Sequence, residues 1–150
     1  AESFNLKIAY QGPNRKADLA WPYFPDVASL AKACDFLVAA CPGGEATKKI
    51  INRATIDALG PKGVIVNIAR GAVIDEPEMI AALKEARLGG AGLDVFVDEP
   101  RVPEALLALD NVVLTPHIAS ATTDTRAAMG QLVLDNLARF FETGQAITPV

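Results

Sequence analysis

Five short apolar runs, each separated from the next by segments of helical spacing, constrain this chain more than any other feature. They stand near residues 6–10 (LKIAY), 35–40 (DFLVAA), 63–68 (GVIVNI), 90–95 (GAGLDV) and 111–114 (NVVL). None shows the polar alternation of a half-exposed strand, so they predict strands buried on both faces. Helices are expected near 26–33, 46–51, 54–59, 76–87 and 104–108, with a long one over 122–143. Asp26 before VASLAKAC, and Asp75-Glu76-Pro77 before EMIAALKEA, supply caps and an early proline. Gly89-Gly90 is expected to stop the helix that precedes it. Strands alternating with helices in this way predict an α/β fold, a doubly wound parallel sheet covered on both faces.

Length and composition bound the function. A chain of 150 residues can form one domain with a proper core, and no repeat, low-complexity tract or linker divides it. A net charge of -4 argues against nucleic acid or an anionic membrane as partner. No apolar run has the length of a membrane span, and AESFNLKIAY lacks the basic start and long apolar stretch of a signal peptide. Cys34 and Cys41 flank a single expected strand, a separation unfavourable for a disulfide. With one histidine and two cysteines in the chain, no metal site is expected. Free thiols in a reducing cytoplasm are the plain expectation.

The chemistry is expected at the ends of the strands. VIVNIARG ends a buried strand by presenting Arg70, whose planar guanidinium suits a carboxylate or a phosphate. Asp94 sits in GLDVF, Glu99 in VDEP, and His117, the one histidine, in LTPHIAS. All four fall at or just beyond carboxyl ends of strands, where open α/β sheets bind ligands. Each alone has an ordinary reading: Arg70 as a solvated charge, Asp94 as a turn acid, Glu99-Pro100 as a turn, His117 as a loop residue. Together they supply an anion clamp, an imidazole and a carboxylate to orient it.

The segments VNIARGAVIDEPEMIAAL, GAGLDVFVDEP and NVVLTPHIASAT, in this order and spacing, resemble the D-isomer-specific 2-hydroxyacid dehydrogenase family, and most nearly its glyoxylate/hydroxypyruvate reductases. The resemblance runs from about residue 5 to residue 143. It implies a Rossmann-like fold and hydride transfer from NAD(P)H to a small 2-keto acid. Arg70 would clamp the substrate's carboxylate and carbonyl, His117 would protonate the ketone oxygen, and Glu99 would hold the imidazole protonated and oriented. The formate-dehydrogenase branch carries glutamine at this last position, so Glu99 points away from it. The resemblance also implies that Asp94 contacts the nicotinamide amide. Cys41, Pro42, Thr47, Ile68, Ala69, Ala119 and Ser120 would line the cofactor.

Two departures matter. No G-x-G-x-x-G occurs in the chain, and LKIAY reads as the second strand of a dinucleotide fold, so the glycine fingerprint is expected upstream of Ala1. The family's substrate lobe is also absent. Residues 1–150 are therefore expected to be a partial dinucleotide-binding domain that lacks its first strand and helix and ends in helix 122–143. Its sheet would have to close up, exchange elements in a homo-oligomer, or be complemented by the N-terminal part. Where an NAD-preferring relative places an acid after the second strand, this chain has Gln11, then Asn14, Arg15 and Lys16, which favours the 2'-phosphate of NADP over NAD. Pro13 departs from the further arginine of many NADP-dependent relatives. Two other readings stand beside the reductase: a non-catalytic fragment that only folds or associates, and a dinucleotide-sensing protein like the family's corepressors. The last helix carries a broad apolar stripe (Ala128, Leu132, Leu134, Leu137, Phe140, Phe141) that suggests a partner beyond this domain.

Overall fold

The computed structural model describes residues 2–149. The chain divides into two compact units, one ending at Pro116 and one beginning at His117. Within the first unit, strands β3 (Phe36–Ala39), β4 (Val64–Asn67), β5 (Gly90–Leu93) and β6 (Val112–Leu114) form a parallel sheet in the order β3-β4-β5-β6. β1 (Tyr10–Gln11) and β2 (Tyr23–Phe24) pair in parallel as a separate two-stranded sheet. The expected parallel α/β architecture is therefore present.

The larger sheet is covered on one face. Leu37, Ala39, Ile65, Ala91 and Leu93 are buried there with Ala31 of helix α1 (Val27–Lys32), Ile56 of α2 (Arg53–Leu59), Met79, Ala82 and Leu83 of α3 (Glu76–Lys84), and Leu106 of α4 (Glu104–Leu107). On the other face Phe36 is 59%, Val38 54% and Val113 69% exposed. This differs from the expected cover on both faces, and handedness explains it. Parallel crossovers are right-handed, so strands added in one direction place their helices on one side. Cover on both faces needs a reversal of strand order, and these four strands run without one.

Local physics sets the element boundaries. Asp26 and Asn52 cap α1 and α2, accepting from the Ser29 and Thr55 amides at 2.8 and 3.2 Å. Pro77 opens α3 as expected, but the Asp75 carboxylate makes no cap bond and pairs with Lys49 at 3.2 Å. The helix expected over 46–51 is only a 3₁₀ turn at Glu45–Thr47. There Thr47 Oγ1 donates back to the Pro42 carbonyl at 2.8 Å, Lys49 turns to φ 51°, and Ile51 is drawn into a parallel bridge with Ile74. α3 stops before the glycine pair: Ala86 takes the left-handed turn at φ 55°, and the Arg87 amide closes on the Ala82 carbonyl at 2.8 Å. Gly89 instead permits close approach, since a Cβ there would lie 2.9 Å from the Pro61 carbonyl oxygen. The first expected strand, 6–10, contracts to Tyr10–Gln11.

The second unit is dominated by α5 (Thr123–Thr143), with Thr122 as its cap and Gly144 closing it at φ 73°. Leu132, Val133, Leu134, Leu137, Phe140 and Phe141 on this helix are 44–83% exposed. Among the described residues no helix is long and apolar enough to cross a membrane. Cys34 and Cys41 are free thiols.

Candidate active site

The register of the sheet builds a rim. Ala39, Asn67, Leu93 and Leu114 stand side by side at the carboxyl ends of their strands. The ladder continues one residue further, from the Ile68 amide to Ala39 O, Asp94 to Asn67 O, and Thr115 to Leu93 O. Ile68, Asp94 and Thr115 thus form the row from which the chain leaves the sheet. Ile68 is half exposed there, whereas Ala69 is buried behind it.

Arg70 is positioned by Asn67. Asn67 is 1% exposed and bonds to its own turn twice, Oδ1 accepting from the Ala69 amide and Nδ2 donating to the Arg70 carbonyl, both at 3.0 Å. A buried amide with its hydrogen bonds satisfied makes a rigid bracket. Two glycines then let Arg70 sit where it does. A Cβ on Gly43 would come within 2.7 Å of Arg70 Cγ, so the Cys41–Gly44 loop lies directly against the arginine stem. A Cβ on Gly71 would overlap the carbonyl of Phe96 and the amide of Val97. The guanidinium donates from Nη1 to the Ala69 carbonyl at 2.6 Å and the residue remains exposed.

The loop after β5 is held at three points. Asp94, 6% exposed, accepts from Thr115 Oγ1 at 2.6 Å. The Glu99 carboxylate accepts from the Phe96 amide at 3.0 Å, and Glu76 accepts from the Val97 amide at 3.2 Å. Cys41, Pro42 and Thr47 occupy the loop after β3, closed by the Thr47 hydroxyl bond to Pro42. Beyond β1, the Tyr10 hydroxyl accepts from the Lys16 amide at 2.8 Å and fixes the turn that carries Asn14, Arg15 and Lys16, all exposed. Gln11 lines a groove of about 390 Å³ with Pro25, Val27 and Ile50.

In the second unit His117 follows Pro116 with φ 55°, a left-handed conformation uncommon for a residue with a side chain. The Ala121 amide closes on Ile118 O at 3.0 Å, so His117 to Thr122 forms a tight turn that delivers the chain into α5. His117 and Ser120 line one open groove with Arg126 and Met129 of that helix. Ala119 lies in the same turn.

The first unit thus collects Arg70, Asp94, Glu99, Ile68, Ala69 and the Cys41–Thr47 loop at loops leaving the sheet's carboxyl edge, and the second holds His117, Ala119 and Ser120. Sequence reasoning missed Asn67 and Thr115. The signal for Asn67 was a polar residue inside VIVN, on the buried face of a strand that tolerates one only if its hydrogen bonds are made.

The residues fit part of a dinucleotide. The apolar Ile68 edge beside the buried Asp94 carboxylate suits an amide-bearing aromatic ring, and the Gln11 groove, walled by Pro25, Val27 and Ile50, suits a second ring. The chain contains no glycine-rich loop of the diphosphate-binding type.

Residues 1–119 match the D-isomer specific 2-hydroxyacid dehydrogenase, NAD binding domain. The whole chain is 51% identical to glyoxylate/hydroxypyruvate reductase A of Arabidopsis thaliana, covering 48% of that protein. Hydroxyphenylpyruvate reductase of Plectranthus scutellarioides is likewise 51% identical, with 48% of its length covered. Among solved structures, the NADPH-dependent glyoxylate/hydroxypyruvate reductase of Sinorhizobium meliloti, in complex with NADP and malonate, superposes with a TM-score of 0.95 at 47% identity over 99% of this chain and 47% of that one. The chain spans about half the length of these relatives.

Proposed function

This chain belongs to the D-isomer specific 2-hydroxyacid dehydrogenase family, and we propose that it is the cofactor-binding part of a cytoplasmic reductase that converts small 2-keto acids, glyoxylate or hydroxypyruvate, to 2-hydroxy acids with NADPH. The observation that carries this reading is Arg70, an exposed guanidinium held at the carboxyl rim by the Asn67 bracket and the two glycines. A 2-keto acid needs a fixed cation for its carboxylate and a proton donor beside its carbonyl.

Arg70 binds the carboxylate and His117 gives a proton to the ketone oxygen. Glu99 is a positioning residue that keeps the imidazole oriented. Asp94 accepts from the nicotinamide amide, while Ile68, Ala69, Cys41, Pro42, Thr47, Ala119 and Ser120 line the dinucleotide. Bound NADPH supplies the hydride that no side chain can. The Gln11 groove takes the adenosine end, and Asn14, Arg15 and Lys16 face the 2'-phosphate. Exposed cations on a turn braced by Tyr10, with no acid at Gln11, favour NADP over NAD.

The test is the full-length protein's oxidation of NADPH with hydroxypyruvate, for the wild type and for His117→Gln. Loss of an acid–base group costs about 100- to 10,000-fold, and the fall belongs in kcat with KM little changed. An H117Q enzyme with wild-type kcat would overturn the assignment. A second reading, that the 150-residue chain is inert by itself, is favoured by its two separate sheets. Turnover by the isolated chain would contradict that reading, and complementation by an N-terminal part or exchange between copies would then be unnecessary.

A further inference from the structure

We propose that the chain's two tyrosines, Tyr10 and Tyr23, are a positioning pair that sharpens selectivity for a 2'-phosphorylated nucleotide without touching it; the inference rests on the NADPH reading above. They are Cα partners on the parallel strands β1 and β2, with ring centroids 5.3 Å apart and planes tilted by 57°. Both hydroxyls reach the same turn, one at each end. The Tyr23 hydroxyl donates to the Gly12 carbonyl at 3.1 Å. The Tyr10 hydroxyl accepts from the Lys16 amide at 2.8 Å and donates to the Lys16 carbonyl at 3.3 Å, so its donor and its acceptor both serve one residue's backbone. Between these anchors Pro13 restricts the backbone further, its ring fixing φ.

What the pair holds is a turn of otherwise solvated residues. Pro13, Asn14, Arg15 and Lys16 are exposed, and among the described residues the Arg15 and Lys16 side chains pair with no carboxylate. Cations on a loose turn must be ordered when a phosphate arrives, and that ordering weakens binding; a turn already held avoids it. The same two strands run into the adenosine groove, since Gln11 follows Tyr10, and Pro25 and Val27 come shortly after Tyr23. Strand pairing and the ring contact therefore support the groove, while the two hydroxyls act on the turn alone. Removing a hydroxyl loosens the turn and leaves the rings in place, which penalises a ligand with a 2'-phosphate and spares one without it. Tyr10 is the stronger anchor, because the Gly12 carbonyl bonded by Tyr23 also receives the Gln11 amide at 3.4 Å.

Adenosine 2',5'-bisphosphate and adenosine 5'-monophosphate differ only in that phosphate and make the decisive pair. Dissociation constants for both are measured by calorimetry on the full-length protein, as wild type, Tyr10→Phe and Tyr23→Phe, with unfolding midpoints alongside. The expected result is a wild-type preference for the bisphosphate that falls about three- to tenfold in Y10F and less in Y23F, with the monophosphate changed less than about twofold. In an Arg15→Ala/Lys16→Ala background, which has lost the cations, Y10F should have no further effect on the bisphosphate. Equal losses on both nucleotides would make the tyrosines part of the groove's packing and overturn the proposal, as would a full Y10F effect without the cations. A wild type that binds both nucleotides equally would remove the NADPH reading and this proposal with it; a selective wild type with an unaltered Y10F removes this proposal alone.

Discussion

At the scale of single residues, the site is built as much by what supports Arg70 as by Arg70 itself. Gly71 is required because its backbone runs against Phe96 and Val97 with no room for a methyl group. Gly71→Ala must therefore push apart the turn after β4 and the loop after β5, and backbone shifts of this kind cost about 1–3 kcal/mol. The expected outcome is a lower unfolding midpoint together with a raised KM for the 2-keto acid; a variant with both values at wild type would contradict the packing described. Gly43 makes a softer case, since the atom it crowds is the stem of Arg70 rather than backbone. Cys34 belongs to the same scale. Burial, reinforced by the neighbouring Asp35 charge, holds its thiol above the ordinary cysteine value, so it should stay protonated and alkylate slowly at pH 8 when followed by mass spectrometry. Rapid labelling of Cys34 in the native protein would count against this placement.

At the scale of elements, caps and crossings decide what the apolar pattern left open. Asp26 caps α1 through the Ser29 amide and hydroxyl, at 2.8 and 2.7 Å, and these bonds hold its carboxyl below the usual value. A carboxylate depressed in the folded state stabilises it above the unfolded value, near 3.8, and that contribution is lost as pH falls through the folded value. Asp26→Ala should lower the urea midpoint at pH 7 and flatten its decline in acid, read by denaturation from pH 7 to pH 2. A mutant with the wild-type acid slope would show that the cap does not titrate with folding. Most elements were legible in the sequence because apolar runs and cap residues are local signals, and α3, α5 and the four strands of the main sheet lie where those signals put them. β2 was not, because two residues between Pro22 and Pro25 have no period to detect. Residues 46–51 misled because their helical spacing is overruled by a tertiary pairing of Ile51 with Ile74. Gly89-Gly90 misled in a similar way, its need for glycine coming from the neighbouring turn at 61–63 rather than from a helix end.

At the scale of the whole molecule, what could be read was the order of chemistry along the chain, and what could not was how it is held. Arg70, Asp94, Glu99 and His117 stood out because charged groups at the ends of apolar strands need a reason. Asn67 and Thr115 did not, since their roles depend on partners brought close only by the fold. The single most direct measurement is the steady-state kinetics of Arg70→Ala in the full-length enzyme with NADPH and hydroxypyruvate. Losing a charge-assisted clamp on the substrate carboxylate costs roughly 1.5–3 kcal/mol or more, so kcat/KM should fall at least tenfold, with KM raised and NADPH affinity nearly unchanged. An R70A enzyme with wild-type kcat/KM would contradict the account at its centre.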